Sequence, residues 1–314
     1  MDSRGLEETE EVLRKYLKAG DIAYRVKKEV PSIVKPGVKL LDAATTIERR
    51  IRELGGEPAF PVNLSINFIA AHRTPYADDD EVIPDESVVK VDIGVHIDGY
   101  IADTALTLVF DDYYIPLAEA SRNALLKGLK RVGAGVKFRD VGKAIELVIR
   151  RSGFKVIKNL TGHSLGRFMI HSGESVPNFN DPISLGRFKQ NRAYAIEPFA
   201  TDGKGIVRDL RSSIQIYSLR KVKGKALNDV EDRVLKAVVS RFRTLPFCER
   251  WLTDLGIGLK ELRTALHSLA RKGYLNEYPV LVEIIEGYVA QFEETVFITK
   301  DRVYVTTNPE LSNG

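Results

Sequence analysis

The sequence predicts an α+β chain of two pseudo-symmetric halves, interrupted late by a small helical subdomain. Three observations carry this expectation. A loop-plus-helix unit recurs at a constant offset, an Asp-Gly pair joins two alternating apolar runs, and residues 221–282 turn to dense helical periodicity.

Taken in order, apolar spacing places helices near 8–30 and 36–55, strands over 61–70, 88–96 and 100–110, and helices over 116–132 and 138–152. Further strands are expected near 154–163, 166–171, 192–200, 211–219, 287–299 and 302–307. The repeat is Pro36-Gly37-Val38-Lys39-Leu40-Leu41-Asp42 against Ala134-Gly135-Val136-Lys137-Phe138-Arg139-Asp140. At the same offset Ile47, Glu48, Ile51 and Arg52 match Ile145, Glu146, Ile149 and Arg150. Asp42 and Asp140 are expected as N-caps, and Gly55 and Gly153 as C-terminal stops. Convergence on good helix grammar is the alternative to duplication. A duplicated unit would pack as two halves with a cavity between them, where ligand sites tend to form.

In the hairpin, Asp98-Gly99 suits a two-residue turn with positive φ at both positions. Ile97 then faces Tyr100, Gly94 faces Asp103 and Asp92 faces Ala105. Val89, Val91, Ile93, Val95 and Ile97 share a core face with Ala102, Leu106 and Leu108. Asp92 and Asp103 share the other as diagonal neighbours, roughly 7–8 Å apart at the backbone. Gly94 and Ala105 are expected to leave space beside them. Two carboxylates so placed repel unless a cation lies between them, or the face is simply solvated.

Three more groups sit in apolar strand contexts: His163 in Thr161-Gly162-His163-Ser164-Leu165-Gly166, Glu197 in Ala195-Ile196-Glu197-Pro198-Phe199, and Glu293 in Gln291-Phe292-Glu293-Glu294-Thr295. The series Asp, Asp, His, Glu, Glu in these contexts resembles the pita-bread metallopeptidases, which include methionine aminopeptidases, prolidases and creatinase. The resemblance covers nearly the whole chain and implies their pseudo-two-fold fold. It also implies two divalent metal ions (Co, Mn, Fe or Zn), with Asp92 on one, His163 and Glu197 on the other, and Asp103 and Glu293 bridging. Glu197 resembles the family's general base.

Asn67-Phe68-Ile69-Ala70-Ala71-His72-Arg73-Thr74-Pro75 is similar to the type II methionine aminopeptidase segment that carries a catalytic histidine. Ile170-His171-Ser172-Gly173 is similar to the segment carrying the second. The resemblance implies that His72 and His171 bind the substrate amide, and that Phe60 and Ile170 line the methionine pocket. Two departures are visible: Gln215 stands where a pocket-wall histidine is frequent, and Glu294 where a histidine commonly follows the last ligand. Type II enzymes also carry a helical insert here, which resembles a winged helix. Helices are expected over 226–245, 247–252 and 258–273, with a wing over 274–283. The division expected is 1–220 plus 283–314 for the catalytic domain and 221–282 for the insert. Nucleic-acid or ribosome contact through Lys260, Arg263, Arg271 and Lys272 is weighed against a structural cap with solvated cations. The cap is favoured, because Glu249, Asp254, Glu261 and Glu277 dilute the charge.

Composition agrees. A 44% hydrophobic and 29% charged chain supports a soluble core, and a net charge of +4 does not demand nucleic acid. The one cysteine, Cys248, excludes an internal disulfide framework and fits a cytoplasmic setting. No apolar run suits a membrane span. The expectation is a monomeric exopeptidase acting on N-terminal methionyl peptides and nascent proteins. The alternatives are an Xaa-Pro dipeptidase and a non-catalytic nucleic-acid or ribosome-binding relative.

Overall fold

Both copies of the repeat fold alike down to their backbone hydrogen bonds. The computed structural model describes residues 3–312. Within it Gly37 donates to Ile83 at 2.8 Å, and Gly135 donates to Phe188 at 2.8 Å. Leu40 and Phe138, at the same repeat position, donate to Glu81 and Gly186. Gly37 and Gly135 have φ of 78° and 80°, and Gly55 and Gly153 of 85° and 86°, conformations that cost a side chain but not glycine. Correspondence at this level supports duplication over convergence.

Six α-helices are described: α1 Ser3–Ile33, α2 Leu40–Glu53, α3 Ile115–Leu129, α4 Phe138–Arg151, α5 Asp229–Arg241 and α6 Leu259–Arg271. Helix α2 buries Leu40, Ala43, Ala44, Ile47 and Ile51, and α4 buries Phe138, Val141, Gly142, Ile145 and Ile149 at equivalent positions. Truncating a buried isoleucine on such a stripe to alanine costs about 2–5 kcal/mol. The expected N-caps need correction. The caps are Lys39 and Lys137, which join short bridges to Val82 and Arg187, and neither caps through its side chain. Pulling the chain into those bridges starts each helix earlier, so Asp42 and Asp140 fall in the first turn. There a carboxylate still favours the positive end of the helix dipole.

In the first half, α1 and α2 cover the hairpin Val88–Ile97 with Tyr100–Val109. Its register is Ile97 to Tyr100, Gly94 to Asp103 and Asp92 to Ala105. Val89, Val91, Ile93, Val95 and Ala102 face the core. In the second half, α3 and α4 pack on the sheet containing Thr161–Leu165, Arg192–Ile196 and Glu294–Ile298. The halves meet where Ala105 and Glu293 exchange backbone hydrogen bonds of 3.3 and 3.0 Å. This seam places the two hairpin aspartates beside the second sheet.

Segment 166–171 is not a strand. Gly166 and Met169 exchange backbone bonds around a tight turn with Phe168 at φ 57°, which leaves Ile170 and His171 on the return path. In the late segment, α5 and α6 pack around Tyr217, Phe247 and Leu252. Residues 247–252 are a two-residue strand, Phe247–Cys248, running into the 3-10 helix Glu249–Leu255, not an α-helix. Pairing of Phe247–Cys248 with Ile216 and Tyr217 holds the chain extended there. The strand Leu275–Glu283 pairs with Val207–Leu219 and with Ile69–Ala71. Arg263 is held by Asp78 and Glu249, and Lys272 by Glu231. These pairs neutralise two of the four cations weighed for nucleic-acid contact. Among the described residues no helix is long and apolar enough to cross a membrane.

Candidate metal centre

One cavity of about 380 Å³ collects Phe60, His72, Asp92, Asp103, His163, Ile170, His171, Glu197 and Glu293. They come from both halves. Asp92 and Asp103 stand on the first hairpin, His163 on Thr161–Leu165, Glu197 just after Arg192–Ile196, and Glu293 just before Glu294–Ile298. Asn178 donates to the carbonyls of Glu197 at 2.9 Å and Leu160 at 3.1 Å, fixing the backbone that presents the second-half groups.

The charged atoms converge. His163 Nε2 lies 3.4 Å from Glu197 Oε1 and 3.7 Å from Asp103 Oδ2. One ligand atom each from Asp103, His163 and Glu293 lie within 4.8 Å of one another. Asp103 and Glu293 are fully buried, and Asp103 Oδ1, Asp92 Oδ1, Glu293 Oε1 and His163 Nδ1 have no hydrogen-bond partner. Burial pushes Asp92 up to about 7. Burial and then the Asp92 charge hold Asp103 well above the usual carboxylate range. Glu197 is raised by burial and by Asp103 and Asp92, and Glu293 by burial, Asp103 and Glu197. Burial, then His171, holds His163 well below its ordinary value.

Four carboxylates around a neutral imidazole, Asp103 and Glu293 buried and Asp92 and Glu197 half-buried, are unstable as bare anions. They either keep protons or hold cations. Carboxylate oxygens without hydrogen-bond partners and a neutral imidazole, with ligand atoms of Asp103, His163 and Glu293 within 4.8 Å of one another, are the donor set that divalent metals of the Mn, Fe, Co and Zn series accept. The residues therefore fit a metal pair.

A sequence model of metallopeptidase family M24 matches residues 14–300. This chain belongs to metallopeptidase family M24. Methionine aminopeptidase from Thermococcus onnurineus is 46% identical over 291 residues, 93% of this chain and 98% of that relative. Among solved structures, a thermophilic Arx1 matches with a TM-score of 0.80 at 17% identity, over 97% of this chain and 94% of that one. Methionine aminopeptidase from Rickettsia prowazekii matches with a TM-score of 0.67 at 21% identity, over 95% of this chain and 98% of that one. At such identities the two structures speak for the fold alone, the pita-bread arrangement of M24. As in other M24 metallopeptidases, the chain's cofactor is divalent metal.

Some groups on this M24 cavity were not foreseen. Gln291 donates to Glu293 Oε2 at 3.2 Å, and Asn63, Ile216, Tyr278 and Leu281 line the wall. Gln291 stands two residues before Glu293, so strand alternation alone was a usable signal. The wall formed by Tyr278 and Leu281 comes from the late segment and left no local sign. The space expected beside Gly94 is filled, since the Phe60 ring packs against its Cα. Glu294 faces away from the cavity toward Lys27 and Thr104, and Gln215 Oε1 accepts from the Thr74 amide at 3.1 Å.

Proposed function

We propose that this chain is a methionine aminopeptidase of the type II kind, removing the initiator methionine from nascent cytoplasmic proteins. The observation that carries the reading is a cluster of four carboxylates and one imidazole, with Asp103, His163 and Glu293 buried and Asp92 and Glu197 half-buried, opening onto an apolar wall of Phe60 and Ile170. Asp92 would hold one metal, His163 and Glu197 the other, and Asp103 and Glu293 both. Bound metal would supply an acidified water, polarisation of the scissile carbonyl and an anchor for the free amine.

The chain's own groups do the rest. Glu197 is half-buried on the cavity wall with a raised proton affinity, which suits it to take a proton from the attacking water and hand it on. His72 Nδ1 lies 3.2 Å from the Pro279 carbonyl and can only donate to it, so in the neutral ring Nε2 is the acceptor. Burial draws His72 down to about 4, so the ring is neutral at pH 7. His72 is thus suited to accept from the scissile N–H, and its bare nitrogen does not stabilise an oxyanion. His171 packs edge-on to His163 with ring centroids 4.4 Å apart, on the wall where the developing negative oxygen would lie. Phe60 and Ile170 supply a snug apolar pocket, where shape discriminates more than any single methylene.

Incubating the metal-loaded protein with Met-Gly-type and Xaa-Pro-type peptides tests this. Release of methionine from the first alone supports the reading. Cleavage of the second alone makes the chain a prolidase, and cleavage of neither points to a binding protein.

A further inference from the structure

His72 has φ of 65°, in the left-handed region. A side chain other than glycine is held there at a cost of about 1–3 kcal/mol, and only where its surroundings enforce it. Much of that enforcement comes from the late segment. Pro279 accepts from His72 Nδ1, and the Tyr278 ring stands edge-on at 5.6 Å. Arg250 donates to the Pro75 carbonyl at 2.9 Å and to the Thr74 hydroxyl at 2.8 Å. Glu249 accepts from the Ala77 amide at 2.9 Å. From the catalytic side, Val62 accepts from the Thr74 hydroxyl and Leu64 donates to the Arg73 carbonyl.

Arg250 is fixed in turn by Glu48. The guanidinium donates to both carboxylate oxygens at 2.8 and 2.9 Å, and Trp251 Nε1 adds a third bond at 2.8 Å. Both partners are buried. In the other repeat the matching residue, Glu146, is half-buried, accepts from the Asn180 amide at 3.1 Å and has a loose ion pair with Arg150 at 4.0 Å, with no buried guanidinium fork. The two helices match at their core positions and differ here, where the late segment covers the first.

Resting on the role given to His72 above, we propose that segment 221–282 positions His72 against the substrate, with the Glu48–Arg250 pair as the fixed point. Arg250 is a positioning residue. It touches no cavity atom but holds Thr74 and Pro75, two and three residues beyond His72. A fork of two charge-assisted hydrogen bonds fixes orientation as well as distance, so its loss should displace the loop without emptying the metal cluster. A shift of about 1 Å at a substrate-binding group can lower turnover about 100-fold.

The test is a double-mutant cycle on metal-loaded full-length protein with a Met-Gly-type peptide. The variant Glu48→Gln/Arg250→Met removes both charges together, so neither is left buried alone. Glu249→Leu/Arg263→Met, which removes the segment's acceptor of the Ala77 amide together with the cation that pairs with it, is measured in parallel and serves if the first pair variant fails to fold. The expected result is a kcat about 10- to 100-fold lower, with KM and bound metal per chain within about twofold. In the His72→Ala background the same changes should add less than about twofold, because their effect runs through the missing ring. Equal losses in both backgrounds, or unchanged kcat in the wild-type background, overturn the inference while the role of His72 stands. Full activity of His72→Ala alone overturns that role and the inference with it.

Discussion

Lys27 Nζ sits 2.7 Å from both carboxylate oxygens of Glu294 and 2.8 Å from the Thr104 hydroxyl. Glu294 and Thr104 each follow a cavity carboxylate, Glu293 and Asp103, and strand alternation turns them to the opposite face. Thr104 also donates to the Glu293 carbonyl at 2.8 Å, and Thr295 donates to the Asp103 carbonyl at 2.8 Å. The two strands bearing the central carboxylates are therefore tied from behind. Removing only the cation leaves a buried carboxylate unpaired. Lys27→Met should cost about 3–5 kcal/mol, read by denaturant unfolding, and Lys27→Met/Glu294→Gln should recover most of it.

Metal-free protein should lose stability as pH rises. Asp92 is raised from its ordinary value to about 7 in the folded chain, with Asp103, Glu197 and Glu293 also raised. A raised folded value means that the folded state holds protons the unfolded chain releases. Stability is then fully present below about pH 4 as regards these groups and falls through about 7. The cavity histidines, held below their ordinary value, act in the opposite sense below about pH 6.5, so the comparison belongs above that range: chelated protein should melt at lower temperature at pH 8 than at pH 7. Added metal should reverse that order, because it binds the deprotonated set. A chelated protein that melts higher at pH 8 contradicts this.

Gly94 sets the depth of the proposed methionine pocket. A Cβ there would collide with the Phe60 ring, which has to swing into the cavity. Gly94→Ala should lower kcat/KM for a methionyl peptide about 10- to 200-fold, the range for a pocket altered by one small group. An alanyl peptide should be less affected. Equal losses for the two peptides in a steady-state assay would place Phe60 outside the specificity pocket.

Substituting His72 by alanine should reduce kcat about 100- to 10,000-fold with metal content unchanged. Because His72 is neutral above its value of about 4, its own titration should add no acidic limb to the rate between pH 5.5 and 8. A pH–rate profile whose limb in that range disappears in His72→Ala would contradict the assignment.

What could be read from the sequence was mostly local. The hairpin register followed from Asp98-Gly99, whose φ values of 50° and 85° are those the turn requires. Alternation then placed Asp92 and Asp103 on one face. The stops at Gly55 and Gly153 were equally local. Features set by distant partners were not legible. Glu48 meets Arg250 across two hundred residues of chain, and Lys27 meets Glu294 across more, so neither pair leaves a periodic trace. Helix starts at Lys39 and Lys137 were missed because bridges to residues far along the chain override capping preference. The turn at 166–169 defeated the strand expected there, since Phe168 takes a positive φ that its side chain does not advertise.

In the proposed reading Asp103 and Glu293 hold a pair of divalent ions between the halves of the fold. Titrating chelated protein with Mn(II), with bound metal counted by elemental analysis after gel filtration, tests it directly. Two ions per chain are expected in the unaltered protein, and one or none, with methionine release abolished, in Asp103→Asn and Glu293→Gln. Two ions still bound with turnover intact in either variant, or no metal bound to the unaltered chain, would contradict it.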